Sequence, residues 1–187
     1  MKPITLKELA ANPEFCAKMD AFKALMSSPP VKKWVKEHHD LKDNAGNAIK
    51  YLPIEAVEGL LDMIFPVWQV EIKSVTPIFN SINVTIRLHY QHPVDMQFYF
   101  HDGVGAKELQ TRKNTGTLKP TFENILYGAV ERAVPIAKSQ ALKDAVGHIG
   151  KIFGRDLNRK LLVTINAKYN VQDEPVDIKL LEKGKAQ

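Results

Sequence analysis

The sequence predicts an α+β fold in which an antiparallel three- to four-stranded curved sheet packs on a long C-terminal helix. Two patterns predict it: apolar and polar residues alternate through 68–101, as in strands, and apolar residues recur every three or four positions in 122–154, as in a helix. The 187 residues suffice for one well-buried domain and not for two large ones. We therefore expect a core domain at 51–168, an N-terminal helical appendage and loop at 1–50, and a polar tail at 169–187.

Composition and charge narrow the class of protein. Hydrophobic residues make up 44% and charged residues 25%, which excludes a disordered or collagen-like chain. The single cysteine, Cys16, has no partner for an intramolecular disulfide, so we expect a reducing compartment and a packing role for its side chain. There is no run of about 18 apolar residues and no secretory signal, which predicts a cytoplasmic protein without membrane contact. The net charge of +5 permits a nucleic-acid partner without requiring one.

The first 50 residues are expected to be helical and then irregular. Thr5 and Glu8 form a capping box, which predicts a helix start, and 14–26 has helical spacing of its apolar residues. After two prolines, 31–38 is expected to form one or two more helical turns. The segment 40–50 has the Asn, Gly and Asp content of a loop.

One helix and three strands are expected next. Ile54 to Phe65 is predicted to be an amphipathic helix that starts after Pro53. Three alternating segments then predict a meander with one solvated face. Their apolar positions are Trp68, Val70, Ile72, Val84, Ile86, Leu88, Tyr90, Met96, Phe98 and Phe100. Their solvated face is expected to carry Lys73, Arg87, His89, Tyr99 and His101.

The last third of the chain is expected to return to a helix. Residues 102–120 contain three glycines and four cations, which predicts a mobile basic connection. The helix at 122–154 is expected to kink or break near Pro135. The segment 161–167 is β-prone and is expected to add an edge strand.

The most informative feature is the charge on the last predicted helix. At about 100° per residue, one side gathers apolar residues and the other gathers Lys143, Gly147, Lys151 and Arg155. Residues 138–160 hold six lysines and arginines against two aspartates, a net charge of +4. A phosphate chain could approach this side closely, although an ordinary solvated helix face has the same pattern.

Two stretches of the sequence then carry a recognisable pattern. One is Ala141–Gly154 (ALKDAVGHIGKIFG), preceded by a Gly103–Gly105 turn that follows the meander. The other is Tyr51–Glu55 (YLPIE), with the helix and the tryptophan after it. Together they resemble the Rad-fifty-two-type single-strand annealing proteins of eukaryotes and phages, over about residues 42–158. The resemblance implies an ATP-independent protein, without cofactors, that binds single-stranded DNA along an oligomeric ring and anneals complementary strands, as in phage recombination and DNA repair.

The resemblance also implies site residues. Lys143 falls on the family's DNA-contacting lysine, whereas Asp144 and Gly147 stand where the family has further basic residues. We therefore expect other cations to contact the phosphates. These candidates are His148, Lys151, Arg155 and Lys138 near the last helix, Lys42 or Lys50 ahead of Tyr51, and Arg112 and Lys113 in the loop 106–119 that would clamp the strand. On the sheet, Arg87 and Tyr99 are expected to contact DNA, with Tyr99 stacking on a base or packing across strands.

Two other classes of function remain open. A homo-oligomeric scaffold for protein partners would carry the same basic face incidentally, and a single-strand-binding protein or an exonuclease is a possible partner of an annealing protein. A metal-dependent nuclease would use His89, His92, His101, Asp95 and Asp102, although their spacing matches no known ligand set. His38-His39-Asp40 is expected to be a helix end rather than a general base with its orienting carboxylate, and Trp34 a subunit contact or a helix cap. No phosphate-binding loop that ends in Lys-Ser or Lys-Thr is present, which disfavours a recombinase driven by nucleotide hydrolysis.

Overall fold

The fold is α+β, as predicted: an antiparallel three-stranded sheet packs on a 21-residue helix, and a small two-stranded sheet stands beside it. The computed structural model describes residues 12–112, 121 and 123–159. The helices are α1 (Pro13–Ser27), α2 (Ile54–Ile64) and α3 (Ala129–Ile149). The strands are β1 (Lys36–Lys42), β2 (Ala48–Tyr51), β3 (Trp68–Ile78), β4 (Ser81–Gln91) and β5 (Phe98–Glu108).

The three long strands form a meander in the order β3-β4-β5. Every second residue of β4 is buried, because Val84, Ile86 and Leu88 face the helix α3 while their neighbours face away from it. The two flanking strands pair antiparallel with β4, and β3 has an irregularity in its register between Ile72 and Ser74. This irregularity moves Val75 onto the helix side, opposite Val84.

The helix α3 lies unusually close to β5 because both surfaces are made of small residues. Ala133, Ala137, Ala141 and Ala145 form a buried stripe on α3. A Cβ atom on Gly103 would overlap the carbonyl oxygen of Ala141, and one on Gly105 would overlap that of Ala137. Glycine therefore lets the helix backbone rest against the strand.

The expected turn at Gly103–Gly105 is wrong, because both glycines lie inside β5, which continues to Glu108. The expected apolar face of this strand is also wrong. Phe98 and Phe100 point away from the helix and are 67% and 55% exposed. Glycines occupy the inner face of β5, so its large apolar side chains lie on the exposed outer face. The alternation of apolar residues therefore predicts the wrong buried face for this strand.

The segment 31–51 is mostly a hairpin, not helical turns followed by a loop. Only Lys32–Trp34 forms a 3-10 turn, and β1 then pairs antiparallel with β2. The Asp43 carboxylate accepts hydrogen bonds from the backbone N–H groups of Ala45 and Asn47, at 2.9 Å each, and Gly46 has a positive φ of 84°. The turn residues seen in the sequence therefore close a short connection between strands.

The last helix is shorter than expected at both ends. It starts after Gly128, which has a positive φ of 71°, and continues through Pro135 without a break. It ends at Ile149, and a separate 3-10 turn follows at Lys151–Phe153. A Cβ atom on Gly150 would lie 2.6 Å from the carbonyl oxygen of Met26, so the chain turns here against the end of α1.

Several expectations lie outside the described residues. They are the helix at Thr5, the strand at 161–167, the tail at 169–187 and the second half of the loop 106–119, with Lys113. The first three residues of that expected loop, 106–108, belong to β5 instead.

Candidate nucleic-acid interface

Lys143, the first candidate, is held between α3, α2 and the small hairpin. Its Nζ lies 5.3 Å from the centre of the Tyr51 ring, at the end of β2, which is a cation–π distance. Partial burial lowers the pKa of Lys143, and the carboxylate of Glu55 acts in the opposite direction. The ammonium group has lost part of its water and retains one aromatic face and one distant acid as partners.

Lys151 and Arg155 do not continue the Lys143 side of a helix, since the helix ends before them. They gather instead around one carboxylate in the segment after α3. The Asp156 carboxylate lies 3.4 Å from Lys151 Nζ, 3.9 Å from Arg155 Nε and 3.1 Å from Arg159 Nη1. Three cations around one acid leave a net charge of +2 at this point of the surface.

The hairpin and this basic segment are joined by one asparagine. The Asn158 Oδ1 accepts a hydrogen bond from the backbone N–H of Lys50 (2.8 Å), and its Nδ2 donates to the Lys50 carbonyl (2.7 Å). This side chain pairs with the backbone of β2 as a neighbouring strand would, although the two positions are 108 apart in the sequence. A cleft of about 460 Å³ opens beside the junction, with Glu37 and Arg159 on its wall.

Two other basic candidates have different places. Lys42 pairs with Ala48 in the hairpin, and Ala48 lines the same cleft as Arg159, whereas Lys42 is not part of that cleft wall. Lys138 is exposed on α3 five residues before Lys143, which puts it about 140° around the helix axis. Lys138 therefore lies on a different side of α3 from Lys143.

Arg87 lies on the outer face of the sheet, on the opposite side from α3. Its Nε and Nη2 donate to the two carboxylate oxygens of Asp102 at 2.7 and 2.8 Å, and its guanidinium carbon is 4.1 Å from the centre of the Phe100 ring. The hydrogen bond to Arg87 lowers the pKa of Asp102. The sheet separates this paired cation from Lys143, so the two do not share one surface.

Tyr99 and His101 were expected on the outer face, and this expectation is wrong. Both pair with β4 positions that face the helix, and the Tyr99 ring stacks near Tyr90, with 6.1 Å between ring centres. The Tyr99 hydroxyl donates to Asp95 at 2.8 Å. This bond raises the pKa of Tyr99. Cross-strand packing is thus the role that its contacts support, although 43% of Tyr99 is exposed.

His148 faces β5 rather than the hairpin. Its ring stacks on that of His101, with 5.9 Å between ring centres and 25° between planes. Burial lowers the pKa of His101, the neighbouring His148 lowers it further, and Asp102 opposes them. On the same helix, the Asp144 carboxylate accepts a hydrogen bond from the Val104 N–H at 3.0 Å.

The histidines and acids proposed for a metal site do not converge. His89 lies on the outer face, 3.1 Å from the Glu71 carboxylate, whereas His101 lies on the inner face. His92 is buried, with its ring 4.4 Å from that of Phe22 and its Nδ1 3.2 Å from Asp95. In residues 12–112, 121 and 123–159, no three His, Cys, Asp or Glu side chains are placed to hold a metal ion.

The remaining candidates are spread over the molecule. The Arg112 backbone N–H donates to the Asn124 carbonyl at 2.8 Å, close to the start of α3 and about 20 Å along that helix from Lys143. His38, His39 and Asp40 lie in β1 rather than at a helix end, with His39 Nδ1 2.6 Å from Asp40. Trp34 is partly buried against the core, and Cys16 is partly buried on α1.

Sequence reasoning missed two residues that organise this surface. From the sequence, Asp156 contributes only one negative charge to the net charge of residues 138–160, and Asn158 has no expected role. A lone acid among Lys151, Arg155 and Arg159 was a readable signal, since opposite charges at short spacing attract one another. Nothing in the sequence indicates that Asn158 binds a backbone more than a hundred positions away.

None of the helices in the described part of the chain is long and apolar enough to cross a membrane. Comparison with known proteins gives no match, either to a protein-family model or to a curated protein sequence.

Proposed function

We propose that this protein binds single-stranded DNA and anneals complementary strands without ATP, as part of homologous recombination. One observation carries the proposal: Tyr51 and Lys50 are adjacent in β2, and they join Lys143 on one side to the cations around Asp156 on the other. The same short strand therefore contacts Lys143 through Tyr51 and the segment that carries the other cations through Lys50. The resemblance to single-strand annealing proteins falls on the same residues, Tyr51 and Lys143.

The chemistry of annealing fits such a surface. A strand must be held by its phosphates so that the edges of its bases stay free to pair, which requires cations and few base-specific contacts. Lys143 suits this role because it has lost part of its water, and a phosphate oxygen would replace the missing partners. The exposed guanidinium groups of Arg155 and Arg159 supply planar hydrogen-bond donors for a second phosphate.

Repetition in a ring or a filament would strengthen a modest patch. Each subunit offers few cations, but a strand that touches several subunits binds through effective concentration rather than through one strong site. A homo-oligomer is therefore part of the proposal.

The proposal is tested first by salt-dependent binding of an oligonucleotide. Affinity should fall with salt at a slope of about −0.7 per phosphate contacted. Lys143→Gln should weaken binding severalfold and flatten the slope by about 0.7, because one phosphate contact is lost. Lys138→Gln is the matched control, since it removes the same charge from another side of the same helix. Equal effects of the two substitutions would contradict a specific role for Lys143.

Annealing itself is measured with fluorescent complementary oligonucleotides in the absence of ATP. We expect the protein to accelerate pairing and to leave single strands uncut in magnesium or manganese. Cleavage that a chelator abolishes would instead favour the nuclease.

The scaffold alternative has one observation in its favour: Phe98, Phe100 and Val104 expose apolar surface on the outer face of the sheet. Absence of DNA binding at low salt would favour that alternative.

A further inference from the structure

Asp156 is the least exposed charged group in the basic segment after α3. Its side chain is 12% exposed, whereas those of Lys151, Arg155 and Arg159 are 34%, 38% and 60% exposed. The three cations therefore lie around and above a nearly buried carboxylate. Isolated surface ion pairs contribute little, but a carboxylate shared by three partners and shielded from water holds them more firmly.

The ion pairs with Asp156 leave N–H donors of the arginines available. Asp156 Oδ1 is 3.1 Å from Arg159 Nη1 and 3.9 Å from Arg155 Nε, yet it accepts no hydrogen bond from any described residue. A guanidinium group has five N–H donors. Asp156 therefore holds the two arginines by charge while their donors stay available to another acceptor.

The physical benefit is preorganisation. Long basic side chains repel one another, and each loses rotamer freedom when a ligand fixes it. A central carboxylate offsets the repulsion and restricts the side chains before the ligand arrives. The segment keeps a net charge of +2, which still attracts an anion.

We propose that Asp156 is a positioning residue of the single-stranded DNA site. Its carboxylate holds Lys151, Arg155 and Arg159 together so that they bind one backbone phosphate. This inference rests on the proposed function. On charge alone, an acidic side chain should repel DNA. The proposal instead gives Asp156 a favourable effect on DNA binding.

The test is the sign of the change in affinity when the acid is neutralised. Asp156→Asn should raise the dissociation constant for a single-stranded oligonucleotide about fivefold and flatten the salt slope by about 0.7, because the shared phosphate contact is lost. Asp156→Glu, which keeps the charge, should restore binding to within about twofold of wild type. If Asp156→Asn binds as well as wild type or more tightly, the positioning role is refuted.

Asp20→Asn on α1 is the matched control. Asp20 is exposed and 3.9 Å from Lys23, so its substitution changes the net charge equally at a carboxylate that pairs with none of the three cations. Asp20→Asn should leave both affinity and slope unchanged. Wild-type protein that ignores DNA at low salt would refute the proposed function itself, and this outcome is distinct from a failure of the Asp156 substitution alone.

A second measurement applies if Asp156→Asn does not fold, as judged by circular dichroism. Lys151→Gln and Arg159→Gln are then compared with the double variant. If the two cations share one phosphate, the double variant flattens the slope by about 0.7, as each single variant does. A change of about 1.4 in the double variant would mean two separate contacts and would overturn the proposal.

Discussion

At the scale of single residues, His101 connects the inner face of the sheet to the end of α3. Its ring contacts those of Tyr90 and His148, and Asp102 follows it in β5. The pKa of His101 is lowered in the folded protein, so the unfolded chain binds a proton more readily. The stability that the neutral ring contributes is therefore present above the unfolded value of about 6.5 and is lost as the pH falls through the lower, folded pKa.

This predicts a stability difference that depends on pH. The wild type should unfold at a lower urea concentration at pH 5.5 than at pH 7.5, and His101→Gln should reduce the difference because it removes one titrating group. His39→Gln is the control, since that side chain is 96% exposed. An equal pH dependence in wild type and His101→Gln would show that other groups cause the loss.

Single residues also show how much of the candidate site can be predicted from the sequence. Lys143 was predicted from its place in a recognisable motif, and its contact with Tyr51 joins two parts of that motif. The face of Tyr99 was predicted wrongly, since alternation alone does not indicate which side of a strand meets a helix. The grouping around Asp156 depends on where the helix ends, which local spacing does not fix.

At the scale of elements, the contact between α3 and β5 decides the position of the candidate interface. The alternation of β4 and the amphipathic spacing of α2 were readable because their buried side chains are large and apolar. The extent of β5 was not readable, because glycine usually weakens a strand. Here the glycines allow the helix α3 to approach the strand closely. The hairpin of β1 and β2 was also hidden, since its strand residues are mostly polar and exposed.

Gly103→Ala tests the close approach. The new methyl group would overlap the Ala141 carbonyl and lie 2.6 Å from the Ala145 nitrogen, so the helix must move away from the strand. We expect a loss of about 3 kcal/mol in the free energy of unfolding, measured by urea denaturation. Gly59→Ala on α2 is the control: its methyl group meets nothing within 4 Å and should stabilise the helix by about 0.5–1 kcal/mol. A Gly103→Ala variant as stable as wild type would contradict this packing.

At the scale of the whole molecule, the two edges of the three-stranded sheet differ. The edge of β5 lies under α3, where Asp144 accepts the hydrogen bond of the Val104 N–H. Among the described residues, β3 pairs only with β4, and three of its apolar side chains are about half exposed: Ile72, Val75 and Ile78. A long apolar edge strand is a ready surface for association with another chain. The proposed oligomer would use this edge, because at the other edge Asp144 already binds the Val104 N–H.

Light scattering and DNA binding together test this arrangement. Wild-type protein should have a mass many times 21.1 kDa, and Val75→Lys should reduce it by placing a charge at the edge of the inner face. Affinity for a long oligonucleotide should fall with the mass, whereas affinity for one short enough to touch a single subunit should not, because only the long strand gains from effective concentration. Met63→Lys is the control, since Met63 is 76% exposed and belongs to α2 rather than to the edge strand. If Val75→Lys kept the full mass, the subunits would have to associate through another surface. If the Val75→Lys assembly were smaller but bound long strands as tightly as before, each subunit would bind DNA independently of the others.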